Sequence, residues 1–239
     1  MDMLADLAEV DRIFRTLLRL DRWQQIVFGG GCAQRGLPLV ELFAVPETTI
    51  VVGNILDELW ASQGDIASER ANVLLGLLEQ TEEYDINDSS DPRYEAMTSL
   101  LVLSYVLQVA QERDLYNHLG ALSTDALSAQ DPVWSVLQAG PDNRRHGTFD
   151  GREVPSELES QTATLRILQE ERSPEDRVIR VREVSVRHAV ELRRLLPAYC
   201  RELVRVLDRW RIGSWPPGFS PGGSVETGND VPSDTHHPG

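Results

Sequence analysis

Apolar residues recur every three or four positions along most of the chain, which is the pattern of amphipathic α-helices. The first apolar stripe consists of Leu4, Leu7, Val10, Phe14, Leu17 and Leu18. Asp21 and Gln24 have the spacing of a capping box, so we expect a second helix to begin there. Its apolar stripe consists of Leu20, Trp23, Val27, Gly30 and Gly31. The triplet Gly29–Gly31 is therefore predicted to lie inside a helix, where missing side chains let another helix approach closely.

The same period predicts further helices, and proline is expected to interrupt them. Pro38 and Pro46 bracket a short helical piece, and the third main helix follows and ends near Gly64. Asp65 is a candidate cap for a fourth helix. Residues 93–114 are apolar over most of a helical circumference, so we expect them to form a central helix that packs on several sides.

The second half of the chain predicts helices separated by one polar segment. Helical pieces from residue 115 are expected to break near Asp131 and Pro132, and the Gly-, Pro- and Asp-rich residues 139–155 read as a loop or linker. Two or three helices follow, with a kink or break at Pro197. The alternation of residues 177–186 is β-like, but its charges fit a helix better.

The predicted fold class is all-α, with about eight to ten helices. We expect one helical domain over residues 1–212 and a disordered, Pro- and Gly-rich tail over residues 213–239. The predicted core includes Trp23, Phe28, Leu56, Trp60, Leu100 and Leu101.

Composition predicts a soluble protein of the cytoplasm. The apolar fraction is 41% and the charged fraction 26%, as in ordinary globular domains. No apolar run approaches the ~20 residues that cross a bilayer, and the N-terminus is acidic, unlike a secretory signal, so we expect no membrane association. Cys32 and Cys200 are far apart in sequence and outside any Cys-x-x-Cys pair, so each is expected to be a small buried residue in a reducing compartment.

All 23 basic residues are arginines, because the sequence contains no lysine. This excludes a Walker A lysine, a Schiff-base lysine for pyridoxal phosphate and a kinase-type ATP lysine. The glycine triplet matches no phosphate-binding motif, and G-x-S-x-G, H-E-x-x-H and Glu-x-x-His motifs are absent. We therefore expect no cofactor, and an enzyme has no catalytic motif to support it.

Two sets of residues resemble ligands or nucleophiles, but each has a simpler interpretation. Cys32 would need a nearby histidine, but His188 lies on an apolar stripe, where a hydrogen-bonded core histidine is commoner. A calcium loop could begin with Asp85, Asn87, Ser89 and Asp91. Ser90 and Ala96 stand where that loop requires glycine and glutamate, so a solvated acidic loop is favoured and no metal is expected.

Charge is distributed unevenly along the chain. The formal net charge is −15, and residues 175–211, with ten arginines and six acidic residues, carry +4, so the remainder carries −19. An acidic body repels nucleic acid and attracts basic proteins by long-range steering. A homodimer, in which the basic C-terminal segment docks on the acidic part of a second copy, is a further option.

Two blocks of sequence resemble the start of the YjaG-like proteins, domain-of-unknown-function family 416. In the first block the matching residues are Trp23, Gln24, Phe28, Arg35 and Pro38. In the second they are Ile55, Leu56, Asp57 and Trp60. Ala33 and Gln34 replace a Cys-Glu pair of the family, so any function carried by that pair should be missing. The resemblance implies an all-helical domain of about this length without an established activity.

The leading hypothesis is a non-enzymatic interaction domain that binds a basic protein, as an immunity protein neutralises a toxin. The rival hypothesis is a small-ligand-binding protein or enzyme with an interhelical site near Arg35 and Asp57. The candidate ligand or partner residues are Arg35, Asp57, Glu82, Glu83, Asp85, Asp88 and Asp91.

Overall fold

The computed structural model describes residues 3–88, 91, 93–139, 148–149, 152–153 and 155–210. Within them the chain forms eight helices: α1 Met3–Leu17, α2 Arg22–Phe43, α3 Pro46–Ala61, α4 Ser68–Glu79, α5 Tyr94–Ala110, α6 Leu115–Ala139, α7 Glu157–Leu168 and α8 Pro174–Trp210. The all-α prediction is confirmed. The predicted tail over residues 213–239 lies outside the described residues. No described helix has both the length and the apolar character needed to cross a membrane.

A short β-ribbon interrupts the segment that the sequence predicts as a loop. The strands are β1 Thr148–Phe149 and β2 Arg152–Glu153, and they pair antiparallel with Thr148 opposite Glu153. At two residues each they add little to the fold, which is carried by helix packing.

Helix α2 is the centre of the molecule. Of its 22 residues 16 are buried, so it is enclosed rather than amphipathic, and it packs on α3, α5, α6, α7 and α8. The start signal at Asp21 is confirmed, because the Gln24 side-chain oxygen accepts a hydrogen bond from the Asp21 amide at 3.0 Å. The expected central helix 93–114 corresponds to α5, which is buried on most of its circumference and packs directly on α2.

The glycine triplet lies inside α2, and each of its glycines faces a different neighbouring side chain. A Cβ on Gly29 would lie 2.4 Å from Val106 of α5 and 2.7 Å from Leu122 of α6. A Cβ on Gly31 would lie 3.0 Å from the Ser185 hydroxyl of α8, whereas one on Gly30 would meet only Trp60 at an ordinary 3.7 Å. Two of the three glycines therefore permit close helix approach.

The breaks predicted at Pro38 and near Pro132 are wrong, and at Pro197 the structure excludes a break but not the predicted kink. Pro38, Pro132 and Pro197 all lie within continuous helices, α2, α6 and α8 respectively. A proline inside a helix costs ~3 kcal/mol, which is small beside the burial energy of a helix packed on several sides. The short piece expected between Pro38 and Pro46 is thus the C-terminal end of α2.

The predicted cap of α4 is also wrong, because that helix begins at Ser68 with Ala67 as its N-cap. Asp65 instead belongs to the tight turn that ends α3, where its amide donates to the Ser62 carbonyl. Gly64 in this turn has φ +82°, and a Cβ there would lie 2.6 Å from the Trp23 carbonyl oxygen. The turn therefore uses residues 62–65 before α4 can start.

The predicted core is confirmed for Phe28, Leu56, Trp60 and Leu100, which are all buried. Leu101 and Trp23 are only half-buried. Trp23 lies in the first turn of α2 with the guanidinium of Arg177 stacked 4.9 Å from its ring centre. Its ring therefore covers the edge of the core rather than filling the centre.

Candidate functional site

Arg35 is completely buried at the centre of the helical domain and forms a paired ionic contact with Glu157. The two groups meet through two hydrogen bonds of 2.7 Å each, from Nε and Nη2 of Arg35 to the two carboxylate oxygens. The remaining guanidinium nitrogen donates to the Ser185 hydroxyl at 3.1 Å. Burial by itself lowers the pKa of Arg35, but the charge and hydrogen bonds of Glu157, together with the interaction with Cys32, outweigh this and hold the pKa above its usual range.

Gly31 makes room for this cation one turn earlier on α2. A Cβ at Gly31 would lie 3.3 Å from Nη1 of Arg35. The glycine therefore provides space for the guanidinium as well as for α8.

A chain of polar contacts continues from Glu157. The Gln130 amide group donates to Glu157 at 3.0 Å, and its oxygen lies 3.0 Å from Nε2 of His188. Nδ1 of His188 lies 2.8 Å from the Ser160 hydroxyl. Since the Gln130 amide uses its N–H on the carboxylate, its oxygen accepts from Nε2–H, and Ser160 donates to Nδ1. Every group then has a partner of the right polarity.

His188 is held in its neutral form by this environment. Burial lowers its pKa to about 4, so the ring carries no proton on Nδ1 near neutral pH. The expectation of a hydrogen-bonded core histidine is confirmed. We call Arg35, Glu157, Gln130, His188, Ser160 and Ser185 the buried network.

The buried network contains a serine and a histidine at hydrogen-bond distance, an arrangement that can activate a nucleophile. However, Ser160, His188 and Gln130 each expose only 2–3% of their surface. A substrate could reach the serine only if α6, α7 and α8 separated. The network instead links α2, α6, α7 and α8 by satisfying a buried cation and anion.

Cys32 belongs to the edge of this network. It is buried, and its sulfur accepts a contact of 3.2 Å from Nη2 of Arg35. Burial raises the pKa of its thiol far above the usual range, which disfavours the nucleophilic thiolate. The prediction of small buried cysteines is confirmed for Cys32 and Cys200.

Asp57, the other half of the proposed interhelical site, does not meet Arg35. Its side chain is 78% exposed on α3 and forms a 3.4 Å ion pair with Arg182 of α8. The structure therefore places the two residues of the rival hypothesis in different environments, one in the core and one at the surface.

Glu83 is fully buried, so it is not available to a partner at the surface. Its carboxylate accepts hydrogen bonds from the Val45 amide at 2.8 Å and the Thr48 hydroxyl at 2.5 Å. It thus caps the N-terminus of α3 from a distant part of the sequence, and it fixes the segment after α4 against that helix.

The remaining candidates lie at the surface near residues 82–91. Arg93 bridges Glu82 at 2.8 Å and Asp91 at 2.9 Å, and the hydrogen bond from Arg93 lowers the pKa of Asp91. Asp85 and Asp88 are exposed. Among the described residues, no three His, Cys, Asp or Glu side chains come together to hold a metal ion. Ser89 and Ser90 of the calcium template lie outside those residues.

Exposed carboxylates and exposed apolar side chains occur together on α3, α4 and the following segment. In the part of the chain that the structure describes, no arginine lies within ion-pair distance of four exposed residues, Glu47, Glu69, Glu79 and Asp85. Val73 and Leu77, one turn apart on α4, expose 51% and 46% of their surface. We call these six residues the acidic face.

Val73 and Leu77 belong to the apolar run of residues 71–78, so their residue types alone predict burial. A possible signal is that residues 71–78 contain more apolar positions than one helix face can bury. The buried face of α4 is formed by Ala71, Leu74, Leu75 and Leu78, which leaves Val73 and Leu77 outside.

A cleft of about 560 Å³ lies where the first turns of α2 and α8 meet the turn after α3. It is lined by Arg22, Trp23, Ser62, Gln63, Gly64, Asp65 and Pro174. Arg22 is fixed in this cleft, because it pairs with Glu112 at 2.9 Å and also donates to the Ala110 carbonyl. None of the predicted site residues lines the cleft.

Comparison with protein families, with curated proteins and with solved structures found no match. The similarity to the YjaG-like family therefore remains a prediction.

Proposed function

We propose that this protein is a non-enzymatic interaction domain that binds a basic protein through its acidic face. The observation that carries the proposal is the concentration of charge. Residues 41–95 contain 13 acidic residues and two arginines, a net charge of −11 out of −15 for the whole chain. Such a field attracts a basic partner and accelerates its encounter at low ionic strength.

The acidic face also offers contacts at short range. Val73 and Leu77 present a small exposed apolar surface, with Glu69 one turn before Val73 on the same side of α4. Glu79 ends the same helix but lies on a different side from Leu77. Exposed apolar side chains near charged ones are a usual composition of a protein interface.

Glu79 is poorly placed for the stability of its own helix. It is the last residue of α4, where a negative charge meets the negative end of the helix dipole. No arginine among the described residues compensates for it. A role in binding accounts for a charge that folding alone does not favour.

The buried carboxylate of Glu83 supports this surface by fixing its shape. Because it holds the Val45 amide and the Thr48 hydroxyl, the segment that contains Asp85 is anchored beside the start of α3, where Glu47 lies. A surface that is already ordered loses less entropy on binding. An immunity-like role, in which the acidic face covers a basic surface of a toxin, is the form of this function that we favour.

The rival site near Arg35 and Asp57 receives no support from the geometry. Arg35 is enclosed in the buried network, and Asp57 is paired with Arg182 at the surface.

The test compares two variants with equal charge change. Basic proteins retained at low salt are identified, purified and titrated calorimetrically against wild type, E79Q/D85N and the control E171Q/E175Q. Glu171 and Glu175 are exposed, Glu171 just before α8 and Glu175 in its first turn, and neither belongs to the acidic face. E79Q/D85N should weaken binding about tenfold, a loss of ~1.4 kcal/mol, and reduce its salt dependence, whereas the control should bind like wild type.

A Leu77→Ser variant separates the two kinds of contact. It should weaken binding while leaving the slope of affinity against salt concentration unchanged. Equal loss of affinity in E79Q/D85N and E171Q/E175Q would mean that net charge alone attracts the partner, and the assignment of the acidic face would fail.

A further inference from the structure

Helix α8 carries an exposed stripe that its own chain does not cover in the described residues. Ile179, Val186 and Val190 expose 55%, 39% and 38% of their surface, and Glu183 lies between them. These four residues follow steps of four, three and four, which place them along one line of the helix. The line begins at Asp176 and ends at Arg193, so it has an acidic end, a basic end and a middle that is apolar except for Glu183.

We propose that this stripe is the interface of a homodimer, in which α8 packs antiparallel against α8 of a second copy. With the two-fold axis midway between Glu183 and Val186, Ile179 faces Val190 of the second copy. Asp176 then faces Arg193 of the second copy, and Glu183 faces Val186. This single register gives every residue of the stripe a facing residue in the second copy.

Charge decides the direction of the pairing. In the antiparallel arrangement the acidic end of each stripe meets the basic end of the other, whereas a parallel arrangement would place Arg193 beside Arg193. Both directions use the same patch on both copies and can close into a two-fold dimer, so it is the charge pattern that favours the antiparallel pair. A seam over residues 176–193 is roughly 26 Å long, from ~1.5 Å per residue.

Two of the arginines beside or at the end of this seam are already paired within each chain. Arg182 is already paired with Asp57, and Arg193 is held by Glu41 through two hydrogen bonds of 2.6 Å. Arg193 is therefore oriented before association, and Asp176 of the second copy would add a second carboxylate to it. Since the seam has three exposed apolar residues on each side, we expect a reversible dimer.

This interface uses a different surface from the acidic face, so either proposal can fail without the other. It also differs from docking of the basic segment on the acidic part of a second copy, in which Val186 would not face Glu183. The sign of a charge placed at Val186 distinguishes the antiparallel α8 dimer from this docking arrangement.

The experiment measures the mass of the full chain in solution by light scattering and sedimentation equilibrium over a range of concentrations. Wild type should approach twice the 26.8 kDa mass of one chain at high concentration and dissociate on dilution. Val186→Glu should abolish the dimer, because it places a carboxylate opposite Glu183 at two symmetric positions. Val186→Arg should retain it, because the guanidinium meets that same carboxylate.

Two further variants complete the design. E183R/V186E should restore the dimer by reversing the pair, and V73E, a matched exposed valine on α4, should leave the dimer unchanged. Circular dichroism confirms that each variant is folded, as expected for exposed positions. A monomeric wild type at every concentration, equal dissociation by V186E and V186R, or dissociation by V73E would overturn the inference.

Discussion

The buried network and the acidic face use the same chemical groups for different purposes. In the network, each charge has a partner within hydrogen-bond distance and no access to water, as Arg35 and Glu157 illustrate. On the acidic face, Glu79 and Asp85 are exposed, and no arginine among the described residues pairs with them. Residue type alone therefore does not identify a binding residue; solvent access and pairing decide it.

The energetic difference between the two regions is large. Removing one member of a buried ion pair leaves the other charge uncompensated and typically costs about 3–5 kcal/mol, whereas an exposed pair contributes about 0–1 kcal/mol. We therefore expect stability to be concentrated in the network and binding in the acidic face. The following variants test that division.

The largest effect is expected for Arg35→Met. It leaves Glu157 buried without its cation, so the free energy of unfolding should fall by about 3–5 kcal/mol in urea denaturation. The matched surface variant Arg93→Met, which breaks the contacts to Glu82 and Asp91, should change it by about 1 kcal/mol or less. Similar losses in both variants would show that burial does not distinguish the two regions.

A double variant checks the cause. If the loss arises from the uncompensated carboxylate, R35M/E157M should be more stable than R35M, because both charges are then absent. An R35M/E157M protein less stable than R35M would attribute the loss to packing around Arg35 instead.

The next effect is a pH dependence that belongs to His188. The folded state holds its pKa at about 4, whereas the unfolded value is 6.5, so the unfolded chain binds the proton first. Stability from this residue is complete above pH ~6.5 and declines by about 3 kcal/mol as the pH falls to ~4. His188→Gln keeps a donor and an acceptor in place and should remove that decline.

Glu95 produces the opposite slope and must be separated from His188. Burial raises the pKa of Glu95 to about 7 from 4.5, so its contribution to stability is present below pH ~4.5 and is lost as the pH rises to ~7. The measurement is therefore the difference between wild type and each variant across pH 4–7. H188Q and E95Q should change the slope in opposite directions; the same direction in both would contradict these assignments.

The helices were predictable because the spacing of apolar residues directly indicates which side of a helix is buried. The start of α2 at Asp21 and the enclosed character of α5 follow from local spacing. The helices through Pro38 and Pro197 were not predictable, since the contacts that hold them come from other elements. Local rules describe the cost of proline but not the packing that offsets it.

The buried network could be only partly predicted. Arg35 and Glu157 are 122 positions apart, and spacing within one helix says nothing about such a pair. One signal was present, because an arginine inside an otherwise apolar helix requires a buried counter-charge. Which carboxylate supplies it depends on how α7 docks on α2, and that is decided by the whole fold.

The smallest effects come from one substitution, glycine to alanine, made in both regions. Gly76 lies on the acidic side of α4, and a Cβ there would meet nothing within 4 Å. Gly76→Ala should therefore raise the free energy of unfolding by about 0.4–1 kcal/mol, because alanine reduces the entropy of the unfolded chain and favours the helix.

Gly29→Ala should lower the free energy of unfolding by about 1–2 kcal/mol despite the same helix preference. Its Cβ would lie 2.4 Å from a methyl group of Val106, whose branched side chain has little freedom to move, and 2.7 Å from Leu122. Thermal and urea unfolding of G76A and G29A measure whether each substitution raises or lowers the free energy of unfolding. If G29A proved as stable as G76A, the helices around α2 would be separated by more than the structure shows, and the buried region would tolerate change as readily as the surface.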